Sequence, residues 1–344
     1  MIPSLNGLRA FSIILVILSH LLIVESFPGD IKILLRPFAN GEIGVRIFFV
    51  ISGFLITWLL LKERERTGKI NLRKFYLRRL LRIFPVFYFY LFVVWLSGKI
   101  LGNEVEPGIL FVSTVYLQNF SFAGSHWLIA HSWSLAVEEH FYLFWPLVVY
   151  WLKPNKIKIA IVVLIVVAFL TRLILVKNDL ETFYFTLSRM DELAVGALLA
   201  VLEIEGKLKP SNANKFIWLF LALMIPTIIL WILATGQSLP AIQVSKYALL
   251  AFSYFSLIGF IISANQNHPI LKPLNIFTYT GKISYGLYVY HPLCFFLINY
   301  YFKINSVLIL FIISFGFSYL LATASFYLFE NKFLKLKEKL TKKN

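Results

Sequence analysis

Two residues on one apolar stretch, Arg9 and His20, have types and spacing suited to chemistry. They stand eleven residues apart, which on an α-helix brings them within about 20° of one face and about 16 Å apart along the axis. A neutral imidazole well inside an apolar helix is a candidate general base, and an arginine below it is a candidate anion holder. The same pair also fits an interfacial arginine and a hydrogen-bonded core histidine.

Further polar residues interrupt apolar runs. In Gly44–Phe54, Ser52 and Gly53 form a small notch in an otherwise bulky segment, which reads first as a packing site. Arg78, Arg79 and Arg82 close a basic stretch over 62–82, and their i,i+3 and i,i+4 spacings let three guanidinium groups converge on a phosphate-bearing ligand or on lipid phosphate. In His131–Tyr142, the residues His131, Ser134, Glu138 and Tyr142 share a helical face, with Trp133 beside them and Glu139 turned away. A carboxylate there should pair with a cation or line a wet cavity, and Glu138 could orient or protonate a histidine on another helix. A last cluster is split between Arg189, Asp191 and Glu192 and a segment in which Ser284, Tyr288 and His291 share a face. Pro292 frees the carbonyl of Tyr288, so a local polar repair of a kinked helix is the favoured reading of His291.

The elements that must carry these residues are set by composition. Of 344 residues, 59% are hydrophobic and 15% charged, far too apolar for a soluble domain. The chain therefore reads as all-α, a polytopic transmembrane helix bundle of about ten spans: 8–27, 42–61, 83–101, 131–152, 159–176, 184–203, 215–235, 243–264, 282–302 and 306–329. The apolar but broken stretch 102–130 is expected to be interfacial or re-entrant. The first apolar run lacks a small-residue cleavage pattern and reads as a retained helix. With both termini cytoplasmic, 24 Lys and Arg fall inside against six outside (Lys32, Arg36, Lys99, Lys177, Lys246 and Lys303), while Arg46, Arg172 and Arg189 lie within spans. That distribution accounts for the net charge of +16 without nucleic acid. Residues 1–330 are expected to form the membrane domain and 331–344 a basic cytoplasmic tail on the inner leaflet. A single Cys294 excludes an internal disulfide, and no Cys/His cluster has the spacing of a metal site.

Taken in order, these motifs resemble the acyltransferase family 3 of bacterial membrane O-acyltransferases. Arg9 and His20 match its Arg-x10-His hallmark, Gly44 to Phe54 its Gly-Val-x-x-Phe-Phe pattern, and Arg78 to Pro85 its Arg-Arg-x-x-Arg-Ile-x-Pro pattern. Trp133 to Tyr142, Arg189 with Asp191, and Ser284 to His291 complete the series. Departures are Asn6 where Asp is usual, His140 where Gln is common, and Glu330-Asn331-Lys332-Phe333 in place of a frequent Arg-Pro ending.

The resemblance implies an integral O-acyltransferase of the bacterial cytoplasmic membrane. It would move an acyl group, with acetyl foremost, from cytoplasmic acyl-CoA to a hydroxyl of a cell-envelope glycan or lipid-linked saccharide. Acetyl-CoA is then a substrate and no cofactor is permanently bound. His20 is the expected base and Glu138 its support, with Arg9, Arg78, Arg79 and Arg82 on the donor, and direct transfer and an acyl-histidine route both remain open. Many relatives carry a further extracytoplasmic esterase-like domain, so the chain is expected to act alone or with a separate extracytoplasmic partner. The alternative is a flippase of a lipid-linked glycan, which should show broken helices in two related halves.

Overall fold

Backbone groups held away from water must satisfy one another locally, and here they do so entirely in helices. The computed structural model describes residues 2–24, 40–234, 240–304 and 306–342, and among them there is no strand. The end of the first expected span, residue 235 of the seventh, and the flanking Lys32 and Arg36 lie outside the described residues.

Among the described residues, ten longer helices occupy the ten expected segments. They are α1 (Pro3–Val24), α2 (Gly41–Thr67), α3 (Leu72–Leu101), α4 (Trp133–Trp151), α5 (Pro154–Lys177), α6 (Met190–Ile204), α7 (Ala213–Ala234), α8 (Pro240–Ser263), α9 (Ser284–Phe302) and α10 (Val307–Ser325). Seven segments among the described residues are long and apolar enough to cross a membrane, in α1, α2, α3, α5, α7, α8 and α10. The other three are shorter or less apolar over the length of a crossing. Helix α4 carries Glu138, Glu139 and His140, α9 is rich in tyrosine, and α6 has only 15 residues because a 3₁₀ turn, Thr186–Arg189, precedes it. The stretch 102–130 is broken, as expected, into short helices Pro107–Thr114 and Trp127–Ala130 with a turn at Ser121–Ala123.

The basic stretch 62–82 is not a loop. Strong helix formers carry α2 to Thr67, Gly68 closes it at φ 74°, and the Asn71 side chain accepts a bond from the Lys74 amide to start α3. Arg78, Arg79 and Arg82 therefore sit on a regular helix, and the turn between is only 68–71.

Packing is closest around α1, α2 and α6. A Cβ on Gly53 would run into the carbonyl of Leu193, and one on Gly196 into that of Val50, so α2 and α6 meet backbone to backbone. Helix α1 is gripped in the same way, by Leu274 against Gly7, by Gly281 against Asn6, and by Gly44 against Ser12. The outer helices present their apolar residues instead: Val162, Val166 and Ile174 of α5, Trp218 and Ile225 of α7, and Leu308 and Leu320 of α10 are all exposed. Such a surface suits lipid as solvent, and the protein is a multi-pass membrane protein.

The tail forms α11 (Asn331–Lys342), joined to α10 through a π-helical turn, Phe326–Glu330. It does not stand apart from the bundle. It packs on α3, anchored by Phe329 between Phe89 and Phe333, with ring centroids at 5.3 and 5.1 Å.

Candidate active site

Helix α9 delivers His291 beside His20 of α1, and Pro292 prepares it. Proline has no amide hydrogen, so the Tyr288 carbonyl lacks its helical donor. His291 Nδ1 fills that place at 2.9 Å, with the Leu287 carbonyl at 3.1 Å. The expected local repair is thus present, but it uses only one nitrogen. The other, Nε2, lies 2.8 Å from His20 Nδ1, with the rings stacked at 5.0 Å.

The hydrogen positions follow from the partners. A carbonyl only accepts, so His291 Nδ1 carries its hydrogen, and in the neutral ring Nε2 is an acceptor. His20 must then donate from Nδ1, which leaves the lone pair of its Nε2 available for another proton. His131 lies against both rings, with centroids 6.3 Å from His20 and 5.2 Å from His291. Among the described residues its own ring nitrogens are buried and make no hydrogen bond of good geometry.

Toward the other end of α1, a cavity of about 90 Å³ is lined by Arg9 of α1, Ser52 of α2, Arg79 and Arg82 of α3, Ser134, Glu138 and Tyr142 of α4, and Tyr288 of α9. Glu138 accepts from Ser52 Oγ at 2.7 Å and from the Tyr142 hydroxyl at 2.9 Å. Among the described residues it bonds no histidine, and it lines the cavity, one of the places expected for it. Held between two hydroxyls, Glu138 lines a cavity that it shares with three arginines. Ser52 is thereby a polar site residue, while its neighbour Gly53 is the packing notch.

The cavity and the histidines meet at Tyr288. Its hydroxyl donates to the backbone carbonyl of His131 and is 2.7 Å from Ser134 Oγ.

Outside the cavity a vestibule of about 650 Å³ is lined by Lys62, Arg66, Lys74, Arg78, Arg79, Arg82 and Lys337 against a single acid, Glu63. Arg79 and Arg82 line both spaces. Arg78 lies only in the outer one, 3.1 Å from Glu63. The three arginines of α3 thus converge on the vestibule, and Arg79 and Arg82 reach on into the inner cavity, where Arg9 joins them.

The remaining candidates lie elsewhere. Asp191 pairs with Arg172 through contacts of 2.5 and 3.1 Å, and Arg189 lies 3.5 Å from Glu192 and is enclosed by Phe49, Trp133 and Phe183. Arg46 bonds both Glu42 and Glu192 over the Tyr247 ring. These six charges balance, three of each sign, as charges inside a membrane domain must. Arg46 and Arg172 were not expected to act together with Asp191 and Glu192. The Glu42–Arg46 spacing of four was readable, whereas pairs between distant helices leave no local signal.

Residues 2–329 match the family model described as an acyltransferase domain. The peptidoglycan O-acetyltransferase OatA of Listeria monocytogenes is 29% identical over 323 residues, covering 84% of this chain and 49% of that protein. The O-acetyltransferase OatA of Staphylococcus aureus is 30% identical over 379 residues, covering 97% of this chain and 57% of that protein. The chain thus spans about half the length of the curated relatives it matches. No solved structure matches it.

Proposed function

The chain belongs to the acyltransferase family whose model it matches over residues 2–329, and we propose that it is an O-acetyltransferase of the bacterial cytoplasmic membrane acting on peptidoglycan or a related envelope glycan. The names of the relatives support the acceptor class, and acyl-CoA is the proposed donor. The observation that carries the chemistry is the relay from Tyr288 carbonyl through His291 to His20 Nδ1, which leaves His20 Nε2 as an acceptor.

In this reading the donor's phosphates lie on Arg78, Arg79 and Arg82 where the vestibule opens into the cavity, its thinner arm passes Arg9, and its thioester reaches past Tyr288. His20 Nε2 takes the proton of the acceptor hydroxyl as the oxygen attacks the thioester carbon, a contribution of about 10²–10⁴-fold. The new C–O bond forms, the C–S bond breaks, and the departing thiolate takes the proton back from the imidazolium. His291 Nε2 accepts the His20 Nδ1 hydrogen throughout and holds the ring in position.

The test uses the purified protein in lipid vesicles, with acetyl-CoA and a soluble glycan acceptor. Acceptor-dependent release of CoA, with matching ester on the glycan by mass spectrometry, is expected for the wild type and not for His20→Ala at equal membrane levels. Substantial transfer by His20→Ala would place the base elsewhere, with His131 the next candidate.

A further inference from the structure

The tail helix α11 belongs to the wall of the vestibule and not only to the surface of the bundle. Lys337 is half-buried and lines that space together with Arg78, Arg79 and Arg82, while Lys335 and Lys339 on the same helix are exposed. Its position is built. The π-turn Phe326–Glu330 carries the chain out of α10 without a break, and the tilted and edge-on ring contacts of Phe329 with Phe89 and Phe333 fix α11 alongside α3. From those contacts α11 runs toward the basic end of α3, which brings Lys337 level with its arginines.

The two spaces differ in what they can hold. The inner cavity is small, and its arginines face a carboxylate and hydroxyls. The vestibule is several times larger and carries seven basic side chains against one acid. Even with Lys62 paired to Glu65 and Arg78 to Glu63, a lining so rich in cations attracts a polyanion. A thin arm suits the inner cavity, and the bulky, highly charged end of a ligand suits the outer one.

On the reading above, in which acyl-CoA is the donor, we infer that α11 is part of the donor site, with Lys337 contributing to the hold on the nucleotide phosphates at the vestibule. The tail is then a binding element, and its loss lowers donor affinity even where the membrane domain is intact.

The experiment measures binding of coenzyme A to the full-length protein in lipid nanodiscs by titration calorimetry. The proteins compared are the wild type, Lys337→Glu, Lys337→Arg and, as a charge-matched control on the same helix, Lys339→Glu. A single cation at a half-open site is worth about 1 kcal/mol, so Lys337→Glu should weaken binding roughly five- to tenfold. Lys339→Glu and Lys337→Arg should stay near the wild-type value. Equal weakening by Lys337→Glu and Lys339→Glu would mean a diffuse field and overturn the inference, as would unchanged binding by Lys337→Glu, and both results leave the donor assignment standing. Absence of coenzyme A binding by the wild type would remove the donor assignment and this inference together. Should Lys337→Glu fail to assemble, Lys337→Gln carries the same comparison.

Discussion

At the scale of single residues, one imidazole serves two partners. His291 was readable as a helix repair from Pro292 alone, and that bond exists. Its second bond, to a histidine 271 positions away, depends on tertiary packing and left no trace in spacing. His291→Ala is expected to lower kcat by about 10²-fold or more while donor KM holds, because His20 loses the acceptor that fixes its tautomer. A rise in donor KM with kcat unchanged would instead place His291 in binding. Pro292→Ala acts on the same bond from the other side, since a restored amide would compete for the Tyr288 carbonyl. His140→Gln should retain most activity, because His140 bonds Thr186 at 2.8 Å and not the histidine cluster. The Arg9 and His20 pair was legible because both lie on one helix, where geometry depends only on count.

Among the elements, the junction of α2 and α6 is the most demanding. Gly53→Ala and Gly196→Ala each force a methyl group against a carbonyl, and overpacking of this kind costs about 1–3 kcal/mol. Both variants should show a lower thermal midpoint in detergent, and an unchanged midpoint would mean that the two helices can separate freely. Gly53 could be read as a notch, but which helix fills it could not. On α3 only Arg79 and Arg82 reach from the vestibule into the inner cavity, which gives a graded expectation. Arg79→Ala and Arg82→Ala should raise donor KM by roughly 10- to 150-fold. Arg78→Ala, already paired with Glu63, should do so less. An equal effect of all three would return Arg78 to the inner group. Comparing acetyl-CoA with its 3′-dephospho form on wild type and Arg82→Ala shows whether Arg82 reads that phosphate. The same preference in both proteins would leave Arg82 to topology.

For the molecule as a whole, the distribution of 24 basic residues against six predicts ten crossings with both ends on the cytoplasmic side. Reporters fused after residues 70, 104, 155, 179, 209, 238, 268 and 304 should alternate between the two sides, and an extracytoplasmic signal at 209 or 268 would sink that arrangement. The ten segments were legible because apolar length is local information. The grouping of charges around Arg46 and Arg172 was not, because a buried ion finds its partner only after helices meet. Helix α1 shows what the close packing implies. It is uninterrupted from Pro3 to Val24 and clamped by main-chain contacts at Gly7, Asn6 and Ser12, so it cannot slide as a piston between loading and reaction. The separation of Arg9 from His20 is therefore a fixed gauge of about 16 Å. A gauge selects by reach: a thioester on a shortened arm would seat its phosphates on the arginines, stop short of the imidazole, and behave as a competitive inhibitor instead of a slow substrate.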